Sequence, residues 1–191
     1  MPTRAETAAA TRRALLDAAG RLLDTGGPDA VTLRAVGAAA GVSRGAPYGH
    51  FPTKDELLTA LATEQWARTA GQLAALRADD RLAPRARLEQ ALTGWLELAR
   101  SRPHLYAFMF SPPSRDPEAL LSAASEAQDE FLALVADATR ADDPLRAAAL
   151  LLATTHGVAG LEQAGQLGTT KWGTSADQLL RVAVEQLVVS G

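Results

Sequence analysis

The side chains best suited to recognising another molecule lie in one stretch, residues 32–51, which reads TLRAVGAAAGVSRGAPYGHF. Its centre combines the guanidinium of Arg44 with two very small neighbours, Gly45 and Ala46. A guanidinium can donate two hydrogen bonds to the O6 and N7 atoms of guanine, and a methyl side chain can touch the methyl group of thymine. The chemistry predicted for this stretch is therefore the recognition of nucleobases.

Polar side chains suited to the phosphate groups of DNA surround this centre. Helix N-termini attract anions, and hydroxyl, imidazole and ammonium groups can bind phosphate oxygens. Such contacts fix the position of a protein on the duplex without reading its sequence. For Tyr48 a place in the core, and for His50 an ordinary surface position, are the alternatives. The predicted DNA-contacting residues are Thr32, Arg34, Ser43, Arg44, Gly45, Ala46, Tyr48, His50 and Lys54.

Two short helices with a tight turn between them must position these side chains. Thr32 is the predicted N-cap of the first helix, which ends at residues 40–41, and Ser43 is predicted to cap the second. The small residues Gly37 and Ala40 allow the two helices to approach closely. This arrangement predicts a helix-turn-helix, whose second helix enters the major groove by its N-terminus. A helical pair that binds no DNA fits the same spacing.

Apolar residues recur at three- and four-residue spacing along nearly the whole chain, which predicts an all-α fold of about nine helices. The first is expected to end at Gly26–Gly27, and a long helix is expected to begin with the capping sequence Thr53–Glu56. Residues 1–53 are interpreted as a three-helix DNA-binding head and residues 54–191 as a helical effector-binding and dimerisation domain. Further helices are predicted at 84–101 and 103–110, after Asp116-Pro117, from Asp143-Pro144 to about Leu167, and after Thr174 as N-cap.

Composition argues against an enzyme. The 191 residues include no cysteine and three histidines, which excludes a thiolate nucleophile and a cysteine-ligated metal. The sequence has no glycine-rich phosphate loop and no His-x-x-x-His pair, so neither a catalytic site nor a cofactor is expected. With no apolar run long enough for a membrane span and no signal sequence, we expect a cytoplasmic protein.

The charge is distributed unevenly along the chain. Residues 1–54 carry seven basic and four acidic side chains, whereas the whole chain has a net charge of −3. A basic segment on an acidic body is consistent with a polyanionic partner for that segment alone.

The residues from Val42 to Leu57 carry a family resemblance. They fit the pattern Val-Ser-x-x-x-x-Tyr-x-His-Phe-x-x-Lys-x-x-Leu and resemble the tetracycline-repressor (TetR) family of bacterial regulators. Thr155-His156-Gly157 followed by Leu161-Glu162 resembles a subgroup with a Trp-His-Gly motif, although the tryptophan is absent here. Pro47 departs from the pattern, which has a large aliphatic residue there. Because proline removes a backbone N–H, we expect the second helix of the motif to begin with a tighter turn or later. Which of residues 44–46 reaches a base stays open.

Small residues line one face of the predicted penultimate helix. They recur at steps of three or four residues, which permits very close packing of another helix or of the chain's own neighbouring helices. The resemblance implies that this helix and the last one form a two-fold dimer interface. The predicted interface residues are Ala149, Ala153, Gly157, Gly160, Ala164, Leu180, Val184 and Leu187.

The resemblance also implies a ligand cavity in the body. Aromatic and thioether side chains would favour an apolar or aromatic effector, although aromatic residues at helical spacing more often form the core. The candidate lining residues are Trp66, Trp95, Tyr106, Met109, Phe110, Phe131 and His156.

These observations predict a sequence-specific transcriptional regulator, most simply a homodimeric repressor that binds a palindromic operator in double-stranded DNA and is released by a small effector. The long helix beginning at Thr53 is expected to transmit ligand binding to the head. An activator, a repressor without a ligand, and a helical dimer that binds ligand or protein but no DNA are the alternatives.

Overall fold

The computed structural model describes residues 3–111, 118–139 and 143–189, and within these ranges all regular structure is helical. The all-α prediction is confirmed. These ranges contain ten helices rather than about nine, because a four-residue helix precedes the last one. The helices are α1 (Arg4–Ala30), α2 (Leu33–Ala39), α3 (Ala46–His50), α4 (Lys54–Arg77), α5 (Pro84–Ser101), α6 (Pro103–Met109), α7 (Glu118–Ala138), α8 (Pro144–Gln163), α9 (Thr169–Trp172) and α10 (Ala176–Val189).

The chain forms two compact units. The first unit comprises Met1–Trp66 and His104–Ser122, and the second comprises Ala67–Pro103 and Ala123–Gly191. The limits of these two compact units do not show which residues bind DNA. The functional boundary after residue 53 therefore stays a prediction. Among the described residues, no helix has the combination of length and apolar composition that a bilayer span requires.

Helix α1 extends three residues past the glycine pair at which it was expected to end. Thr3 and Glu6 form a capping box, in which the Glu6 N–H donates to the Thr3 hydroxyl over 3.2 Å. At Gly27 the backbone adopts φ +67°, which interrupts the helix before Pro28. The expected stop at the glycine pair is therefore a kink followed by one further helical turn. The buried side of α1 packs against α2 and α3.

The helix starts in the second half of the chain follow local capping. Asp143 caps α8 as predicted, since its carboxylate accepts from the Arg146 N–H over 3.0 Å. Thr174 does not cap α10. Ser175 and Gln178 bond reciprocally instead and begin that helix one residue later than predicted. The start predicted at Asp116-Pro117 lies outside the described residues.

Helices α5, α8 and α10 of the second unit pack against one another, and Arg100 joins all three. From α5 it donates two hydrogen bonds to Glu162 of α8, at 2.7 and 2.8 Å, and two to Asp177 of α10, at 2.8 and 3.5 Å. These bonds raise the pKa of Arg100 and lower the pKa of Asp177. Helix α8 ends at Gln163, earlier than the predicted Leu167, where Ala164 is followed by Gly165 at φ +65°.

Candidate nucleic-acid interface

Helix α2 has the predicted cap and end. The Thr32 hydroxyl accepts a hydrogen bond from the Ala35 N–H at 3.1 Å, which satisfies one of the free amides at the start of the helix. Leu33 and Val36 of this helix are buried. The turn after α2 passes through Gly41 at φ +68°, a conformation that favours glycine. The predicted first half of the helix-turn-helix is confirmed.

Helix α3 meets α2 through the contact of Pro47 with Gly37. A Cβ atom added at Gly37 would lie 2.7 Å from Cγ of Pro47, a distance that real Cβ contacts do not reach. The Pro47 ring is buried, so it occupies the inward position where the TetR pattern has a large aliphatic side chain. The predicted close approach at Gly37 is therefore present, and it accommodates the proline.

The same proline shortens the second helix of the motif. The Ala46 N–H donates to the Ser43 carbonyl at 3.0 Å, which forms a tight turn, and α3 then begins at Ala46. The prediction that the Ser43 side chain caps this helix was wrong: Gly45 is the N-cap residue, and no side chain caps α3. The physical reason is that a Ser43 cap would accept from the Gly45 or Ala46 N–H, and the Ala46 N–H donates to the Ser43 carbonyl instead, so the helix begins only at Ala46.

Several predicted base and phosphate contacts lie on the outer surface of this motif. Arg44 and Gly45 are exposed, and the Tyr48 side chain is 55% exposed, which excludes a core role for it. Ala46 and His50 are half-buried. A Cβ added at Gly45 would meet no atom within 4 Å, so the fold does not require glycine at this position.

Gly49, one helical turn after Gly45, has the same open surroundings. Together the two glycines leave a strip without side chains on the outside of α3, beside Tyr48. Sequence reasoning did not single out Gly49. Its position four residues after Gly45 was the available signal, since residues four apart share a helix face.

Arg34 and Arg44 are brought together by the fold. Arg34 lies on α2 and Arg44 in the turn before α3, and both line a cleft of about 250 Å³ together with Gly37, Ala38 and Val42. Both arginines are exposed. Two guanidinium groups beside one narrow cleft form a compact cationic surface, which favours a phosphate-bearing partner.

Two further cations lie near the end of α3. The Lys54 ammonium, predicted to contact phosphate, donates a hydrogen bond to the Pro28 carbonyl after the α1 kink. A phosphate contact by Lys54 would therefore compete with this bond. Sequence reasoning missed Arg12, whose guanidinium lies 4.7 Å from the centroid of the Phe51 ring. This cation–π contact holds a positive charge of α1 against the residue that ends α3.

The predicted effector-binding residues fall into separate clusters. In the first unit, the Phe110 ring centroid lies 5.4 Å from that of Trp66 and 5.0 Å from that of Tyr106. Met109 is buried in the same unit, and burial raises the pKa of Tyr106 to about 12. In the second unit, Trp95 and Phe131 stack with centroids 4.9 Å apart.

His156 is not a core histidine, because it is exposed on α8. A large cleft in the second unit contains only Trp95 of the predicted lining residues. Its other walls come from the end of α4, the following turn and α5, which sequence reasoning did not select.

The small-residue face of α8 is uncovered by the described part of its own chain. Ala149, Ala153, Gly157, Gly160 and Ala164 are all exposed. A Cβ added at Gly157 or Gly160 would meet no atom within 4 Å. The alternative in which these residues pack against neighbouring helices of the same chain does not hold for the described residues.

The predicted interface residues of α10 are less exposed to solvent than those of α8. Leu180 and Val184 are buried within the chain, and Leu187 is half-buried. Val182 of α10 and Leu161 of α8 are large apolar residues that are exposed instead. Because an amphipathic helix buries one face, Val182 rather than Leu180 or Val184 is available for contact with another molecule.

Two family models match the chain. Residues 15–61 match the model of bacterial regulatory proteins of the tetR family, and residues 88–187 match a tetracyclin-repressor-like C-terminal domain. The second match alone covers more than half of the chain. The chain belongs to the TetR family.

Similar proteins agree with this membership. The HTH-type transcriptional repressor Rv1474c of Mycobacterium tuberculosis is 47% identical over 62 residues, which are 32% of this chain and 33% of that protein. The match thus spans about a third of the curated relative. A protein of unknown function from Rhodococcus sp. RHA1 is 26% identical, with a TM-score of 0.78 and 94% of both chains covered. The structure of a SmeT–triclosan complex is 25% identical, with a TM-score of 0.65 and coverage of 95% and 91%.

TetR-family proteins are regulators rather than enzymes, which agrees with the composition of this chain. In the part of this TetR-family chain that the structure describes, no three histidine, aspartate or glutamate side chains come together to hold a metal ion.

Glu162 belongs to the stretch that resembles the subgroup with a Trp-His-Gly motif. Its carboxylate accepts hydrogen bonds from Arg100 and thereby joins α8 to α5. The subgroup itself stays a prediction.

Proposed function

We propose that this TetR-family chain is a transcriptional repressor that acts in the cytoplasm as a homodimer on a palindromic DNA operator. The observation that carries this proposal is the outer surface of the helix-turn-helix, where Arg44 and Tyr48 are exposed beside the open glycines 45 and 49. The family membership and the similarity to a repressor over 62 residues support it.

We assign base recognition to the turn that precedes α3 and to its first residue. Arg44 reads guanine by two hydrogen bonds, and Gly45 and Ala46 allow the backbone close to the base edges. Arg34, Thr32, Ser43 and the other flanking predicted residues bind phosphate. The cleft shared by Arg34 and Arg44 supports this division, because it places a positive charge from α2 next to the base-reading arginine.

Dimerisation supplies the second half of the operator contact. One helix-turn-helix reads a short site, and two copies related by two-fold symmetry read two half-sites about one helical turn apart. We assign the interface to the exposed small residues of α8, from Ala149 to Ala164, with Leu161 of α8 and Val182 of α10 beside them. The openness at Gly157 and Gly160 supports this assignment, because a partner helix could pack directly against the α8 backbone.

A small-molecule effector completes the proposal. The similar SmeT protein forms a complex with triclosan, and the second unit of this chain has a cleft of suitable size. An effector coupled to DNA binding by about 1–3 kcal/mol would weaken operator binding about 5–150-fold. The protein itself has no catalytic role in this proposal.

The test is binding to a fluorescent duplex containing the DNA that flanks the protein's own gene, at two salt concentrations. A specific regulator binds this duplex more tightly than a shuffled duplex, and its affinity falls steeply with salt. Arg44→Ala should reduce the preference for the flanking DNA by about 1–3 kcal/mol. Arg81→Ala is the matched control, because it removes an exposed guanidinium outside the head. Equal binding of both duplexes by the wild-type protein contradicts the proposal.

A further inference from the structure

Arg12 of α1 is held against the residue that ends the helix-turn-helix. Its guanidinium lies 4.7 Å from the centroid of the Phe51 ring, and Phe51 is the C-cap of α3. Phe51 is only 2% exposed, and its backbone N–H donates to the Pro47 carbonyl at 2.8 Å, so the ring has a fixed position. A cation above an aromatic face is attracted by the negative charge of that face. The contact therefore keeps a positive charge of α1 at the end of α3.

The charge of Arg12 is not balanced by an acidic side chain. The guanidinium is exposed, and within the described residues it forms no ion pair and no hydrogen bond. The positions three and four residues away on α1, where a helical partner would lie, are Ala8, Ala9, Leu15 and Leu16. The contact with the ring needs no oxygen acceptor, so the guanidinium N–H groups can still donate to an oxyanion.

Arg13, the next residue of α1, has acidic neighbours instead. Its guanidinium pairs with the Glu64 carboxylate of α4 at 3.6 Å, and Asp17 follows four residues later on the same helix. Both arginines are exposed, so they differ in their partners rather than in their access to solvent. Of these two adjacent charges, that of Arg12 is the one available to an external anion.

The end of α3 is where a DNA backbone is expected. The helix has five residues, which at 1.5 Å per residue make it about 7.5 Å long. The major groove is about 12 Å wide, so a helix this short that enters by its N-terminus leaves its other end near the phosphates that border the groove. In the homeodomain, another three-helix head, the end of the third helix contacts the backbone. A cation at the end of α3 therefore faces phosphate rather than bases.

Lys54, the cation predicted for this end of the motif, already has a partner. Its ammonium donates to the Pro28 carbonyl, and it can reach a phosphate only by giving up this bond. Arg12 gives up no hydrogen bond or ion pair, and the Phe51 ring can support its guanidinium with and without DNA. A group that is oriented before its partner arrives loses less free energy on binding than one that must be ordered. The geometry thus favours Arg12 as the phosphate-binding cation here.

We propose that Arg12 binds a phosphate of the DNA backbone and that Phe51 is its positioning residue. The inference rests on the proposed function for its partner, double-stranded DNA, and adds α1 to a surface so far assigned to α2, α3 and the start of α4. Phosphate carries no sequence information, so Arg12 contributes equally to the binding of every duplex. Phe51 itself touches no DNA and acts through Arg12.

The test compares Arg12→Met with Arg13→Met, which remove the same charge from adjacent positions. Fluorescence anisotropy measures binding to the flanking duplex and to a shuffled duplex over a range of salt concentrations. Arg12→Met should weaken binding to both duplexes at least about threefold and make the dependence of log K on log salt shallower by about 0.9. Arg13→Met should keep the wild-type salt dependence. A wild-type slope for Arg12→Met, or equal reductions in both variants, overturns the proposal.

A double-mutant cycle tests the role of Phe51. Phe51→Leu should weaken DNA binding when Arg12 is present and have a much smaller effect in the Arg12→Met background. Arg12→Lys retains the charge and should retain the salt dependence. Circular dichroism and thermal unfolding without DNA measure the fold of each variant. If Phe51→Leu does not fold, the two Arg12 variants still decide the proposal, because a role of Arg12 confined to stability would leave the salt dependence of Arg12→Met unchanged and overturn it.

The failure of this inference is separable from that of the proposed function. If the wild-type protein prefers the flanking duplex but Arg12→Met keeps its salt dependence, only the assignment of Arg12 is wrong. If the wild-type protein binds both duplexes equally and Arg12→Met has the shallower dependence, Arg12 binds phosphate and the proposal of a sequence-specific repressor is wrong.

Discussion

Gly37 of α2 and Pro47 of α3 are in such close contact that a Cβ atom on Gly37 would lie 2.7 Å from Cγ of the proline ring. The contact joins the two helices of the helix-turn-helix and depends on both residues. A glycine permits the approach, and a proline fills the inward position that an aliphatic side chain would otherwise occupy. The position of α3 relative to α2 therefore depends on the contact between Gly37 and Pro47.

The first prediction concerns this pair. Gly37→Ala should lower the free energy of unfolding by about 1–2 kcal/mol, because overpacking outweighs the higher helix propensity of alanine. Urea denaturation followed by circular dichroism measures the change. Gly49→Ala is the control, since its Cβ meets no atom within 4 Å and the substitution should be neutral or slightly stabilising. Equal stability of Gly37→Ala and Gly49→Ala would show that the contact is not tight.

The second prediction concerns the open strip on α3. Gly49→Leu should keep the fold but weaken operator binding at least about tenfold, because a leucine occupies space that we assign to DNA. Fluorescence anisotropy with the operator duplex measures the affinity. Gly71→Leu, on an equally open helix surface outside the head, should bind like the wild-type protein. Unchanged affinity of Gly49→Leu would remove this face of α3 from the DNA interface.

The third prediction concerns dimerisation. A Cβ atom at Gly157 or Gly160 would meet no atom within 4 Å, so we expect Gly157→Leu and Gly160→Leu each to fold normally. At a close helix–helix interface, each added side chain should raise the dimer Kd at least about thirtyfold, or about 2 kcal/mol. Sedimentation velocity over a range of concentrations measures this change. If both variants remain dimeric at the lowest concentration at which the wild type does, the interface lies elsewhere.

The fourth prediction concerns the Arg100 network. Arg100→Met leaves Glu97, Glu162 and Asp177 without their shared partner and should lower the free energy of unfolding by about 1–2 kcal/mol. The value is modest because these side chains are partly exposed to water. Arg81→Met is the matched control: its pair with Asp79 joins residues of one turn, and stability should be nearly unchanged. Thermal or urea unfolding of both variants and of the wild-type protein measures these differences in stability.

The fifth prediction concerns pH. The hydrogen bond from Arg100 lowers the pKa of Asp177 in the folded chain below its unfolded value. The resulting stabilisation is fully present above the unfolded pKa, near 4, and is lost as the pH falls through the lower folded pKa. The free energy of unfolding should therefore decline below about pH 5, and less steeply for Asp177→Asn. Parallel pH profiles for the two proteins would contradict a role of Asp177 in acid sensitivity.

Much of the local structure could be predicted from the sequence because it depends on neighbouring residues. The Thr32 cap, the break at Gly27 and the cap of α8 by Asp143 each involve residues within a few positions of one another. Thr174 and Ser175 are both possible N-caps of α10, and the predicted N-cap was one residue too early. The predicted Ser43 cap is absent because the Ala46 N–H bonds the Ser43 carbonyl in a tight turn and the helix begins later, at Ala46.

The sequence by itself determined the all-helical class, the helix-turn-helix and the small-residue face of α8, because periodicity and capping are properties of adjacent turns of chain. Only the tertiary structure decided which of these faces remain uncovered. It placed Arg34 beside Arg44, buried Leu180 while leaving Val182 exposed, and opened the cleft above Trp95. The physical reason is that the exposure of a side chain depends on residues distant in sequence, and helical spacing does not encode which helices those residues belong to.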